Sequence, residues 1–188
     1  MSQMYGTVDV SWGDTWWSSV VLVESLILPS ADLNGCLFGV TNYSGLVPLF
    51  ADRGIPPDAN VFDREDSKYF TMPDSHPSWV LWRELAQVDW TERATERDFR
   101  ISEYSVDDGG RETPLGKWLQ KAGMDWVRQA LDEEPSREVR DRTSVYRKEY
   151  VTRNDAIDGT EFPLILKLMA CLATRFGDSN VRLFVWFD

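Results

Sequence analysis

Among 188 residues there is one histidine, and only two cysteines. Each scarcity excludes chemistry. A structural zinc site takes four Cys or His ligands and a catalytic one about three protein ligands. His76, Cys36 and Cys171 lie far apart in the chain and share no ligand spacing. An oxygen-rich site built on Asp9, Asp58 and His76 has no spacing to support it either. No Walker loop, GxGxxG or other glycine-rich phosphate cradle occurs. A serine or cysteine nucleophile wants a histidine base oriented by a third group. His76 sits too close in sequence to Ser75 and Ser78 to set up such a line of groups. No apolar run approaches the roughly 20 residues of a membrane-spanning helix. The opening MSQMYGTVDVSW lacks the basic and apolar segments of a secretory signal. Low-complexity tracts and internal repeats are absent as well.

Positive charge is the minority sign. Twenty Lys and Arg stand against 31 Asp and Glu, a net charge of −11. Such a surface repels polynucleotide phosphate and anionic membranes, so no direct nucleic-acid or membrane contact is expected. The acidic runs at 63–66, 107–108 and 132–134 read as solvated loops. An apolar fraction of 43% suffices for an ordinary core. The expectation is one α+β domain over 1–188, with a polar insertion around 91–158. Two buried, reduced thiols and the absence of a leader point to the cytoplasm of a bacterium or of a phage-infected cell.

What is abundant is tryptophan, nine residues in all. Most should be core, because an indole buries a large area, but a domain of this size seldom needs nine there. Some are expected to line a cleft or an interface.

Taken in order, 4–12 and 15–24 alternate as two strands of an N-terminal hairpin around Gly13-Asp14. The adjacent Trp16 and Trp17 must then point to opposite faces. Ser30 caps a helix through Leu33, Cys36, Leu37 and Val40. The stretch 52–60, DRGIPPDAN, is a loop stiffened by Pro56 and Pro57. In 73–90, PDSHPSWVLWRELAQVDW, Ser78, or alternatively Ser75 with Pro77 in the first turn, reads as the N-cap of an amphipathic helix whose apolar face is Trp79, Val80, Trp82, Leu85 and Ala86. That places His76 at a helix N-terminus, with its free N–H groups and positive partial charge. A strand at 99–106 is expected to pair with one at 143–151, and Asp107-Asp108-Gly109-Gly110 to turn between elements. Leu115 to Leu131 read as a helix. A helix capped by Thr160 should run to about Phe176 and be buried on nearly every side. Val181 to Phe187 closes the chain as a strand with two apolar faces, which suits the interior of a sheet. The expected architecture is a mixed or antiparallel sheet, hairpin plus C-terminal strand, packed on the C-terminal helix and shorter helices.

RGIPPD from Arg53, HPSWVLWREL at 76–85 and the closing VRLFVWFD together resemble a group of uncharacterised proteins of phages and bacteria, notably actinobacteria. Their typical members begin with MGCDIH, carry an RGLPxD loop and an HSxSW segment, and end on a strand like VRxVFWFDN. The resemblance covers the two ends and about 38–90. It departs at the start, where MYGTVDVSW keeps the acidic Asp9 but has neither Cys nor His. It implies a phage or mobile-element setting and no particular activity.

These features favour a non-enzymatic accessory protein that binds and sequesters a small anionic ligand, a nucleotide-derived host-defence signal being the favoured candidate. Arg53 and the helix end would hold phosphate, Trp79 and Trp82 would stack a base, and Asp58, His76 and Ser78 would complete the site. No cofactor is implied. A second hypothesis is an acidic inhibitor that blocks a basic protein partner. A third is a hydrolase using Asp9, Asp58 and His76.

Overall fold

The computed structural model describes residues 3–13, 16–23, 30–59, 72 and 74–188. The acidic stretch at 63–66 lies outside them. Among the described residues there are two antiparallel four-stranded sheets and five helices, and the fold is α+β.

The first sheet has β1 (Met4–Ser11), β2 (Trp17–Leu22), β3 (Ser78–Leu81) and β8 (Val181–Phe187) in the order β2-β1-β8-β3. The hairpin and the closing strand are where alternation put them, and β8 is an inner strand buried along its whole length. One face of this sheet presents Met4, Val8, Val10, Val80, Val181, Leu183, Val185 and Phe187 to the main core. Against it lie α1 (Ala31–Phe38) and the long C-terminal helix α5 (Phe162–Phe176). Ser30 caps α1 by accepting from Leu33 N, and Gly39 closes it at φ 79. Strands β1 and β8 approach so closely at Gly6 that a Cβ there would lie 2.4 Å from the Phe184 carbonyl oxygen, so no other residue fits.

The second sheet, in the order β5-β4-β7-β6, contains β4 (Ile101–Val106), β5 (Glu112–Trp118), β6 (Glu138–Arg140) and β7 (Ser144–Arg147). Helix α3 (Asp125–Glu133) packs on it through Val127 and Leu131, against Ile101, Val139 and Tyr146. The expected pairing of 99–106 with 143–151 is present as β4 with β7. Asp107 makes the expected turn, its Oδ1 accepting from Gly109 N and Arg111 N. The guanidinium of Arg153 on α4 (Arg153–Ile157) reaches the α1 carbonyl of Cys36. Arg100 on the other side bonds both Asp98 and Asp32 of α1.

Four local expectations are overturned. Ser78 does not cap a helix: Ser78–Leu81 is a strand paired to β8, and only Trp82–Leu85 (α2) is helical. The open edge of β8 offers a ladder of hydrogen bonds and a core slot for Val80, which outweighs a short amphipathic pattern. His76 therefore precedes a strand rather than a helix. Leu115 to Trp118 belong to β5, and the helix begins only after Gly123, at Asp125. Helix α5 buries one stripe (Phe162, Ile165, Met169, Ala173) while Leu164 is 53% exposed, so it flanks the core instead of threading it. Its first turn starts at Phe162, with Thr160 Oγ1 accepting from Phe162 N. Cys36 is buried as expected, but Cys171 is exposed on α5.

Among the described residues no helix is long and apolar enough to cross a membrane.

Candidate functional site

Strand alternation gives the first sheet a second face, turned away from the core helices. Its residues follow from register. Asp9 stands opposite Arg182, Leu81 flanks Arg182 on the other side, and Trp79 pairs with Phe184 one step along. Trp17 and Ser19 come from β2, opposite Ser11 and Asp9. Phe184 and Trp186, packed with Tyr5, Ile55 and Trp79, make a small aromatic cluster on this face. The RGIPPD loop, 53–58, folds over it with Pro56 buried.

At one end of this face lies a cavity of about 280 Å³. Trp17, Asp58, Trp79, Arg83 and Arg182 line it, with Ser11, Ser179 and Asn180 at its margin. Arg182 is its floor, only 1% exposed. Burying a guanidinium demands compensation. Here Nη2 meets Asp9 Oδ2 at 3.3 Å, Nη1 meets Asp58 Oδ1 at 2.6 Å, and the Trp17 ring lies 4.0 Å from the guanidinium carbon. Asp9 is fully buried and also accepts from Ser19 Oγ at 2.8 Å. Asp58 accepts a second bond, from Trp17 Nε1 at 2.5 Å, and its side chain is 43% exposed at the lip. Among the described residues, Arg182 Nε and Trp79 Nε1 are buried donors without an acceptor. Arg83 is in no ion pair among them and touches Ser179 Oγ at 3.3 Å.

Two of the six residues singled out in the sequence, Asp58 and Trp79, meet in this cavity. Arg53 is committed elsewhere. Both its terminal nitrogens bond the Glu84 carboxylate at 2.9 Å, and its guanidinium stacks on Phe50 and Trp79. Burial pushes the Glu84 carboxyl up, but the Arg53 bonds outweigh it and hold the group below the usual carboxylate range. Ser78 is buried and gives its hydroxyl to the Phe50 carbonyl. Trp82 packs on the main core.

His76 sits at the other end of β8. Phe187 N bonds Ser75 O, whereas Asp9 faces Arg182, five residues earlier. At about 3.3 Å per residue that is roughly 16 Å along the strand, so Asp9, Asp58 and His76 do not converge. His76 lines a separate hollow of about 460 Å³ with Asp52, Asp74 and Asp188, and its Nδ1 lies 3.8 Å from Asp52 Oδ1. Thr41, Asp52 and His76, the three non-glycine residues at positive φ among those described, all line this hollow. No group of three or more His, Cys, Asp or Glu among the described residues is placed to hold a metal.

Trp17, Arg83 and Arg182 were not among the sequence candidates. One signal was available for Arg182: an arginine at an inward position of VRLFVWFD, sharing a strand face with Phe184 and Trp186. Its partner Asp9, likewise a lone charge within an apolar strand, carried the same mark. Fewer of the nine tryptophans are core than expected, and Trp186 alone is buried. Trp82, Trp90, Trp118 and Trp186 pack in the apolar clusters. Trp12, Trp16 and Trp126 are exposed, and Trp17 and Trp79 face the cavity.

No family model, curated protein or solved structure matches the chain.

Proposed function

We propose that the chain binds a small, planar, anionic ligand of nucleotide type in the cavity over Arg182, and holds it rather than transforming it. The observation that carries this is the pairing of two indoles with two guanidiniums, Trp17 and Trp79 with Arg83 and Arg182, around about 280 Å³. Indole faces stack on bases, and guanidiniums bind oxyanions in fixed geometry. The volume is near the lower bound of ligand pockets, about 300 Å³, which suits a mononucleotide and excludes a polymer. Arg83, in no ion pair among the described residues, is the cation left for a small anion, while a net charge of −11 repels long nucleic acid from the outer surface. The resemblance of the RGIPPD, HPSWVLWREL and VRLFVWFD segments to phage proteins bears on the setting alone, a phage or mobile element; within that setting the proposed ligand is a nucleotide-derived defence signal.

The acidic-inhibitor alternative has less support. On the second sheet Glu112, Glu138 and Glu149 alternate with Arg140 and Arg147 in ion pairs, which breaks up any continuous negative face there.

Isothermal titration with a panel of mono- and cyclic nucleotides tests the proposal. Binding of at least one, lost in Trp79→Ala, is the expected result. No heat from any of them at high micromolar concentration refutes it.

A further inference from the structure

We infer that Asp58 is a built-in occupant of the ligand's anion seat: its carboxylate sits where an oxyanion group of the ligand, a phosphate or a carboxylate, must bind. The inference rests on the small-ligand function proposed above and specifies how that site is filled when empty of ligand.

The seat is defined by two donors. Arg182 Nη1 and Trp17 Nε1 stand 2.6 and 2.5 Å from the two oxygens of Asp58. Two donors converging on the two oxygens of one carboxylate present the geometry an external carboxylate or phosphate would use. The two acidic partners of Arg182 differ in kind. Asp9 belongs to the sheet, is 0% exposed and is fixed by Ser19, so it cannot leave. Asp58 comes from the loop and its side chain is 43% exposed. Rotation about its own side-chain bonds takes the carboxylate into water, where it is hydrated. The loop itself need not move, since Arg53–Glu84 and the buried Pro56 hold it in place.

Charge arithmetic gives the same answer. Asp9 already balances Arg182, so Asp58 is a second anion on a compensated cation. Replacing it by an external oxyanion leaves the count on Arg182 unchanged and adds the attraction of Arg83, which lines the same cavity. The donors Arg182 Nε and Trp79 Nε1 have no exposed surface in the closed arrangement. Vacating the seat opens the way toward them.

A competitor that fills the seat about nine-tenths of the time raises the apparent Kd about tenfold. An ordinary ligand contact behaves in the opposite sense, since its removal weakens binding. The experiment titrates wild type, Asp58→Ala and Asp58→Asn with adenosine monophosphate, adenosine and inorganic phosphate. Thermal melts establish that each variant is folded. The Trp17 indole N–H resonance, assigned with Trp17→Phe, reports on the seat itself. Asp58→Ala is expected to bind adenosine monophosphate at least about tenfold tighter than wild type, with adenosine unchanged. Asp58→Asn should fall between, because its amide oxygen still accepts from the same donors. Phosphate should shift the Trp17 indole signal in Asp58→Ala at concentrations that leave wild type unaffected.

If wild type binds adenosine monophosphate and Asp58→Ala binds it equally or more weakly, the seat assignment is overturned while the ligand site stands. If neither protein binds adenosine monophosphate or adenosine, and phosphate leaves Trp17 unmoved in both, the ligand site falls and the seat with it.

Discussion

Replacing Arg153 by methionine should be among the most damaging single changes in the chain. The side chain is 1% exposed and bridges three segments. Nη1 donates to the Cys36 carbonyl at 3.1 Å, Nη2 to the Val47 carbonyl at 2.9 Å, and Nε to Glu92 Oε2 at 2.9 Å. Methionine keeps most of the apolar stem but removes every donor. The buried Cys36 carbonyl left without a partner costs about 1–3 kcal/mol, and the part-buried Val47 carbonyl less. The guanidinium no longer has to be desolvated, which offsets part of that loss. The net expectation is about 2–4 kcal/mol, or a fall in Tm of about 4–16 °C at roughly 2–4 °C per kcal/mol for a chain of this size. Glu92 provides the control. Its side chain is 46% exposed, so Glu92→Gln leaves a carbonyl acceptor in place and water for the rest, and should cost under about 1 kcal/mol. Urea unfolding followed by tryptophan fluorescence measures both. Two outcomes refute the reasoning. Arg153→Met could cost less than about 1 kcal/mol, which would mean that water reaches the two carbonyls. Alternatively Glu92→Gln could match it, which would place the stabilisation in the ion pair and not in the carbonyl bridge.

Three further outcomes are expected. Burial pushes the Asp98 carboxyl up, but the bonds from Arg100 and the charge of Lys117 outweigh it, so the group lies below its ordinary value. Its contribution is therefore complete above an unfolded pKa of about 3.9 and is lost as pH falls further; in Asp98→Asn, urea midpoints should drop at pH 7 and decline less steeply below about pH 4. With a thiol reagent under native conditions one of the two cysteines should react, the exposed Cys171. Cys36 should require unfolding, because it is buried and burial raises its thiol pKa more than Arg153 lowers it; rapid labelling of both would contradict the packing of α1. Thr41 holds φ 56, a conformation that a β-branched residue adopts only under strain. Thr41→Asn should relieve about 1 kcal/mol and raise Tm by about 2–4 °C, and an unchanged or lower Tm would show that the threonine side chain repays its strain.

Local order was legible wherever the chain's own pattern and its environment agree. The alternation of MYGTVDVS and VRLFVWF, Ser30 before ADLNGCLF and the DDGG turn each name their structure through nearest neighbours. Reading failed where a distant partner intervened. SWVL carries a helical apolar stripe, yet the free edge of β8 captures it as a strand. PLGKW is drawn into β5 by β4 in the same way. For the site, Asp58 and Trp79 were visible as loop carboxylate and lone indole. Arg53 resembled a ligand group until Glu84, 31 residues away, claimed both of its terminal nitrogens.

The sequence by itself determined the class of protein: an acidic α+β chain with a self-sufficient core, an N-terminal hairpin, a doubly apolar final strand and more tryptophan than a core requires. These follow from composition and short-range periodicity, which act through adjacent residues. Only the tertiary structure decided which charges meet. Asp9 and Arg182 are separated by 173 residues and Asp58 and Arg182 by 124, and they become neighbours because β1 and β8 pair antiparallel beneath the loop. Strand register, which no local pattern encodes, therefore placed the cavity over Arg182 and left His76 at the far end of the same strand.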